Sequence, residues 1–171
     1  EIKGLFSVVY QDFARYSISP KDNISFDMSE RKNVKAVFNE VGLEEVIDKL
    51  PNGEDTPLGK IDKDGLDISG GEWQRLAMAR AAANPAPVRI LDEPTAALDP
   101  ISESRVYRDF ENLSKNTTTL FISHRLGSTA LADMIFVINE GRISEQGTHD
   151  ELMELKGLYA EMYSQQRSWY E

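Results

Sequence analysis

No cysteine occurs among the 171 residues, so disulfides and thiolate metal sites are excluded. That absence is compatible with the cytoplasm. Long apolar runs are missing as well. Nothing approaches the roughly 18 consecutive apolar residues that a membrane-spanning helix needs, and the opening Glu-Ile-Lys-Gly does not read as a signal peptide. The sequence therefore predicts a soluble chain, with any membrane association made through a partner. Positive charge is scarce: 19 Lys and Arg face 29 Asp and Glu, a formal charge of −10. Such a surface repels nucleic-acid backbones in general, although it leaves room for one small anion site.

What is present suits one soluble α/β domain, since 40% apolar residues suffice for a core. Leu5 to Tyr10 is short, β-branched and aromatic, which predicts a buried strand ending at Gln11. The text turns helical after Pro20. Ser29 can cap a helix reaching about Val41, with Gly42 as its stop, and a second short helix spans Leu43 to Leu50 before Pro51-Asn52-Gly53. Residues 54–68 show no period and read as loop.

Ser69 and Glu72 then form a capping box that opens a helix to Asn84, with Trp73, Leu76, Ala77 and Ala81 on its face. Val88 to Leu91 predicts a second strand, ending in Asp92-Glu93-Pro94, and a helix is expected from Pro100 to about Leu113. Thr118 to Ser123 predicts a third strand, ending at His124. Asn139-Glu140-Gly141 joins two further strands as a hairpin. Thr148 and Glu151 make a second capping box at the head of a C-terminal helix that frays toward Trp169. Strands alternating with helices favour a mainly parallel sheet.

Three predicted strands thus end in side chains of catalytic type: Gln11, Asp92-Glu93 and His124. In open parallel sheets, ligands bind beyond the carboxyl ends of the strands. The glycine pair at a capped helix start adds backbone N–H groups that an anion can approach closely, favoured by the helix dipole. Taken singly, each feature has a bland reading: Ser-Gly-Gly as a plain N-cap, Gln11 as a solvated strand end, His124 as a structural histidine.

Together they carry a specific resemblance. SGGEWQRLAMARA (69–81) resembles the signature motif of ATP-binding cassette (ABC) ATPases, and RILDEPTAALD (89–99) their Walker B strand with its D-loop. VVYQD (8–12) is similar to the Q-loop and FISHR (121–125) to the switch histidine, all in the family's order. The VVYQDFARY wording and the approach to the signature look most like exporter-type cassettes. The resemblance implies an α/β fold: a partial P-loop NTPase core with a mainly parallel sheet plus an α-helical subdomain. Residues 1–171 would form one incomplete ABC ATPase domain. Residues 1–11 and 85–147 would be core, 12–84 the mainly helical signature subdomain, and 148–171 the C-terminal helix.

The same resemblance implies ATP and Mg²⁺ as ligands. Ser69, Gly70 and Gly71 would bind the γ-phosphate. Asp92 would bind Mg²⁺ directly or through water, and Gln11 would contact the metal or water. Glu93 would be the general base, His124 would hold the γ-phosphate and orient Glu93's water, and Asp99 would reach across a dimer interface. The implied partners are a second cassette and a transmembrane domain, at the cytoplasmic face of a membrane, with no nucleic acid. His149 is expected to be local and structural, Trp73 to pack in the helical subdomain, and Tyr10, Phe13 and Tyr16 to serve packing or membrane-domain contacts. The Thr56 to Gly65 loop occupies the place of the exporters' cross-talk loop. Arg89 interrupts an otherwise apolar strand, which predicts a polar neighbour on one face.

One family element is missing. A P-loop reads Gly-x-x-x-x-Gly-Lys-Ser/Thr, whereas the single Gly-Lys pair, Gly59-Lys60, is followed by Ile61 and has Glu54 five positions before Gly59. The expectation is an ATPase whose P-loop lies upstream, a fragment inactive by itself, and an open strand edge that invites dimerisation or swapping. Two alternatives remain. One is a cassette ATPase acting on DNA or ribosomes, although the acidic chain shows no heptad run between Gln11 and Ser69. The other is an inactive fragment serving only as a binding module.

Overall fold

Three short β-branched and aromatic runs and one hairpin generate the two sheets, and helices pack against each. A computed structural model of the chain describes residues 2–25, 33–60, 65–94 and 117–167. Two compact units are present, residues 1–122 and 123–171.

In the first unit, β1 (Phe6–Val9), β2 (Val88–Asp92) and β3 (Thr118–Ile122) form a parallel sheet in the order β1-β2-β3. The registers pair Val9 with Leu91 and Asp92 with Ile122. This is the parallel sheet that alternating strands and helices predict. Among the described residues β3 is an edge strand, with Leu120 and Ile122 exposed. The helices are α1 (Pro20–Ser25), α2 (Val34–Glu40), α3 (Glu44–Asp48) and α4 (Gly70–Ala83). Residues 54–68 are less irregular than their sequence suggests. They include the end of a 3-10 turn, Gly53–Asp55, and a parallel bridge between Leu58 and Leu66.

α2 begins at Asn33, whose side chain accepts from Lys35 N–H at 3.2 Å. It ends in a Schellman arrangement: Gly42 has φ 65, Gly42 N–H donates to Asn39 O, and Leu43 N–H to Phe38 O. The positive φ is why glycine stands there. The same reversal buries Leu43 and Phe38 in the core.

α4 starts at the capping box that the sequence predicts. Ser69 Oγ accepts from Glu72 N–H, and Ser69 N–H donates to Glu72 Oε2, a device worth about 1 kcal/mol. Apolar side chains nearly encircle the helix, and Trp73, Leu76, Ala77, Met78, Ala79 and Ala81–Ala83 are all buried. Each large one contributes about 1.5–3 kcal/mol by leaving water. The core joins these residues to Val9 and Leu91 of the sheet and to Val37, Phe38, Val41, Leu43 and Ile47 of the neighbouring helices. Ser7 Oγ donates to Ala81 O at 3.1 Å, tying β1 to α4.

In the second unit, β4 (Ile135–Asn139) and β5 (Arg142–Gly147) form the expected hairpin. Glu140 (φ 49) and Gly141 (φ 74) supply the two positive φ angles that suit the right-handed strand twist. The C-terminal helix of the sequence reading is two helices, α5 (His149–Leu155) and α6 (Leu158–Arg167). The break falls at Lys156, with φ 56. Its cause is distant in sequence: the Glu145 carboxylate on β5 accepts the Leu158 and Tyr159 N–H groups at 2.6 and 3.0 Å and so caps α6. The second capping box, Thr148 with Glu151, opens α5 as expected.

Candidate functional site

The sheet brings two of the expected groups to one edge. Asp92 is the last residue of β2 and Glu93 follows it, while Gln11 lies two residues past the end of β1, the adjacent parallel strand. Both tips are carboxyl ends, where open parallel sheets place ligands. Gln11 is exposed; Asp92 and Glu93 are half-buried.

Glu93 stands in the left-handed backbone region at φ 45, and its N–H donates to Ile122 O of β3 at 2.9 Å. A glutamate in that conformation costs about 1–3 kcal/mol and persists only where surrounding structure enforces it. It also ends the strand's side-chain alternation, so adjacent carboxylates at 92 and 93 need not follow opposite sheet faces.

Ser69, Gly70 and Gly71 form the start of α4, a separate element from the strand tips. Ser69 Oγ is occupied as an acceptor by Glu72 N–H at 3.3 Å, which leaves its own hydrogen available to an anion. The Gly70 and Gly71 N–H groups belong to the first turn, where a helix provides no internal acceptor. Among the described residues, a Cβ built on Gly70 meets no atom within 4 Å. Nothing among the described residues requires a glycine at 70.

His124 comes two residues after Ile122 in sequence and belongs to the second unit. Its carbonyl accepts from Gln166 Nε2 at 3.0 Å. The neighbouring turn is held by Ser123, whose Oγ accepts from Arg125 N–H at 2.9 Å, and by Ser128, whose Oγ donates to Arg125 O at 2.8 Å. Asp99, the helix expected after Pro100, the Ser29 cap and the fraying end at Trp169 lie outside the described residues.

Other side chains expected to be structural are in structural settings. Trp73 is buried, and its indole N–H donates to Asp67 Oδ1 at 2.9 Å; that bond holds the Asp67 carboxyl below its usual range. His149 Nδ1 lies 2.8 Å from the Tyr159 hydroxyl, which is also 2.7 Å from Thr129 Oγ1. Arg89 is buried in β2 between Ser7 and Thr119, and burial holds its pKa below the usual guanidinium value despite the opposing charge of Glu40.

Sequence reasoning missed Arg80. Its guanidinium donates to Ala14 O at 2.6 Å and sits 4.7 Å from the Tyr16 ring centroid. The helix that starts at Ser69 is thereby tied to the loop that follows Gln11. No sequence pattern announces a bond across 66 positions.

A nucleotide's Mg²⁺ can be tested against this donor set. Among the described residues no group of three or more His, Asp or Glu side chains is assembled for a metal. Mg²⁺ commonly takes one or two carboxylates and fills its shell with phosphate oxygens and water, which fits one carboxylate, Asp92, and one amide, Gln11.

Comparison with known proteins agrees with this fold. The ABC transporter family profile matches residues 2–96. The chain is 39% identical over 170 residues to the ATP-dependent lipid A-core flippase of Coxiella burnetii, covering 97% of this chain and 28% of that protein. The protein of the same description from Shewanella oneidensis is 48% identical over 122 residues, 71% of this chain and 20% of its own length. Among solved structures, a bacterial Atm1-family ABC exporter with ATP bound matches at a TM-score of 0.84 and 33% identity, covering 97% of this chain and 29% of that one. The chain spans less than a third of the length of these relatives, and it shares the fold of the corresponding part of the exporter. On the family profile, the relatives and the fold together, the chain belongs to the ABC transporter family.

Proposed function

We propose that this chain is part of an ATP-hydrolysing cassette that powers export across a membrane, working as a pair with a second cassette and docked on a transmembrane domain. The observation that carries the reading is the tip of the parallel sheet. Asp92 ends β2 and Glu93 follows it in a left-handed conformation, with Gln11 two residues past the end of the adjacent β1.

In this reading Glu93 takes a proton from the attacking water as general base. Asp92 and Gln11 hold Mg²⁺, which neutralises charge developing on the phosphate oxygens. His124 holds the γ-phosphate and orients the water. Ser69 Oγ–H and the Gly70 and Gly71 N–H groups donate to the γ-phosphate of the nucleotide seated on the second cassette, and Asp99 mediates the contact between the two cassettes. The triphosphate itself is gripped by a P-loop outside these 171 residues, so that this stretch alone is inactive. The membrane association is indirect, at the cytoplasmic face; no helix among the described residues is long and apolar enough to cross a membrane. Residues 12–84 then act as the signature subdomain, 1–11 and 85–147 as the core, and 148–171 as the C-terminal helical end.

Replacing Glu93 by Gln in the full-length protein tests the reading. Hydrolysis should fall by about a hundred- to ten-thousandfold, the usual worth of a general base, while MgATP binding persists. A Glu93→Gln protein that turns over ATP at the native rate would remove Glu93 from the chemistry.

A further inference from the structure

We propose that Gln166, near the end of α6, is a positioning residue that sets the direction of His124. The carboxamide makes two bonds to one short stretch of backbone: Nε2 donates to His124 O at 3.0 Å, and Oε1 accepts the Leu126 N–H. A C=O at one residue and an N–H two residues on are the pair that a neighbouring strand would use. One side chain therefore closes both hydrogen bonds and fixes the peptide planes on either side of Arg125. The path by which the backbone leaves His124 is fixed with them.

Ser123 and Ser128 add local bonds to Arg125 at the same turn. Gln166 reaches it from 42 positions away. Its own placement is rigid because α6 is anchored at its other end. Tyr159 is fully buried with its hydroxyl against Thr129 and His149, and Glu145 caps the first turn of the helix. Thr129 Oγ1 also donates to Leu126 O at 2.7 Å, so Tyr159 and Gln166 hold the same 3-10 turn, Leu126–Leu131, from one helix.

The C-terminal helix is in this way a brace for the histidine loop. A brace of this kind affects the chemical step more than nucleotide affinity, because small misplacement of a group that acts in the transition state is costly there. The inference rests on the proposed role of His124 in ATP hydrolysis.

The test is a double-mutant cycle in the full-length protein, with Gln166→Leu, of similar size and without hydrogen bonds, and His124→Ala. Gln166→Leu should lower kcat about tenfold with KM for ATP within about twofold. Added to His124→Ala it should cost nothing more. Hydrogen exchange at the Leu126 amide should quicken by about tenfold or more. Gln166→Glu keeps the acceptor but sets a carboxylate against the His124 carbonyl, and should show the same loss of kcat with a slower Leu126 amide than Gln166→Leu. Native kcat in both Gln166 variants beside a slow His124→Ala protein overturns the inference alone. So do losses that multiply in the double variant, the mark of general destabilisation. A His124→Ala protein as fast as the native one overturns the proposed role of His124 and the inference with it.

Discussion

At Gly70 the demands of the fold and those of the function separate. A Cβ there meets nothing among the described residues within 4 Å, and the residue is the first of a capped helix. Alanine is the better helix former by up to about 1 kcal/mol, so the fold by itself gains from the change. The glycine makes sense when another surface or an anion must come to the backbone N–H. For Gly70→Ala in the full-length protein we expect an unchanged or raised thermal midpoint together with a loss of ATPase activity of about a hundredfold or more, the scale of removing one transition-state donor. A fully active Gly70→Ala protein would make the glycine incidental. Glu93 shows the converse: there the chain maintains a conformation that its own stability does not favour, with φ 45 on a residue other than glycine.

Elements show which parts of the molecule were legible in the sequence. Both capping boxes, Ser69 with Glu72 and Thr148 with Glu151, were readable because each is closed by residues three apart. The three core strands and the hairpin were readable from β-branched runs bounded by turn residues. The break between α5 and α6 was not, because its cause is a carboxylate thirteen and fourteen positions earlier on β5. The clamps by Arg80 on Ala14 and by Gln166 on His124 were hidden for the same reason. For the candidate site, residue identities were legible from short motifs, whereas the left-handed backbone at Glu93 depends on its bond to Ile122 of the adjacent strand.

The α5–α6 break also makes a prediction at this scale. A Cβ on Gly157 would collide with Glu145 Oε1, so Gly157→Ala forces the carboxylate off the two N–H groups it caps. Losing that cap should cost about 1–3 kcal/mol in thermal or urea unfolding. Glu145→Ala should cost a similar amount, and the double variant little more than either single one. Additive losses would show that Gly157 acts through something other than the cap.

At the scale of the whole molecule, the proposed active centre is divided. The 171 residues carry the signature turn, the carboxylate pair and the histidine, and no Gly-x-x-x-x-Gly-Lys-Ser/Thr sequence. In phosphoryl transfer the P-loop backbone and lysine supply most of the ground-state grip on the triphosphate. The acidic balance, −10 overall, gives no general attraction to make up the difference. Calorimetric titration of MgATP into the isolated 171-residue chain, alongside the full-length protein, puts this most directly. The account predicts saturable binding by the full-length protein and none by the isolated chain up to millimolar nucleotide; micromolar affinity in the isolated chain would contradict it.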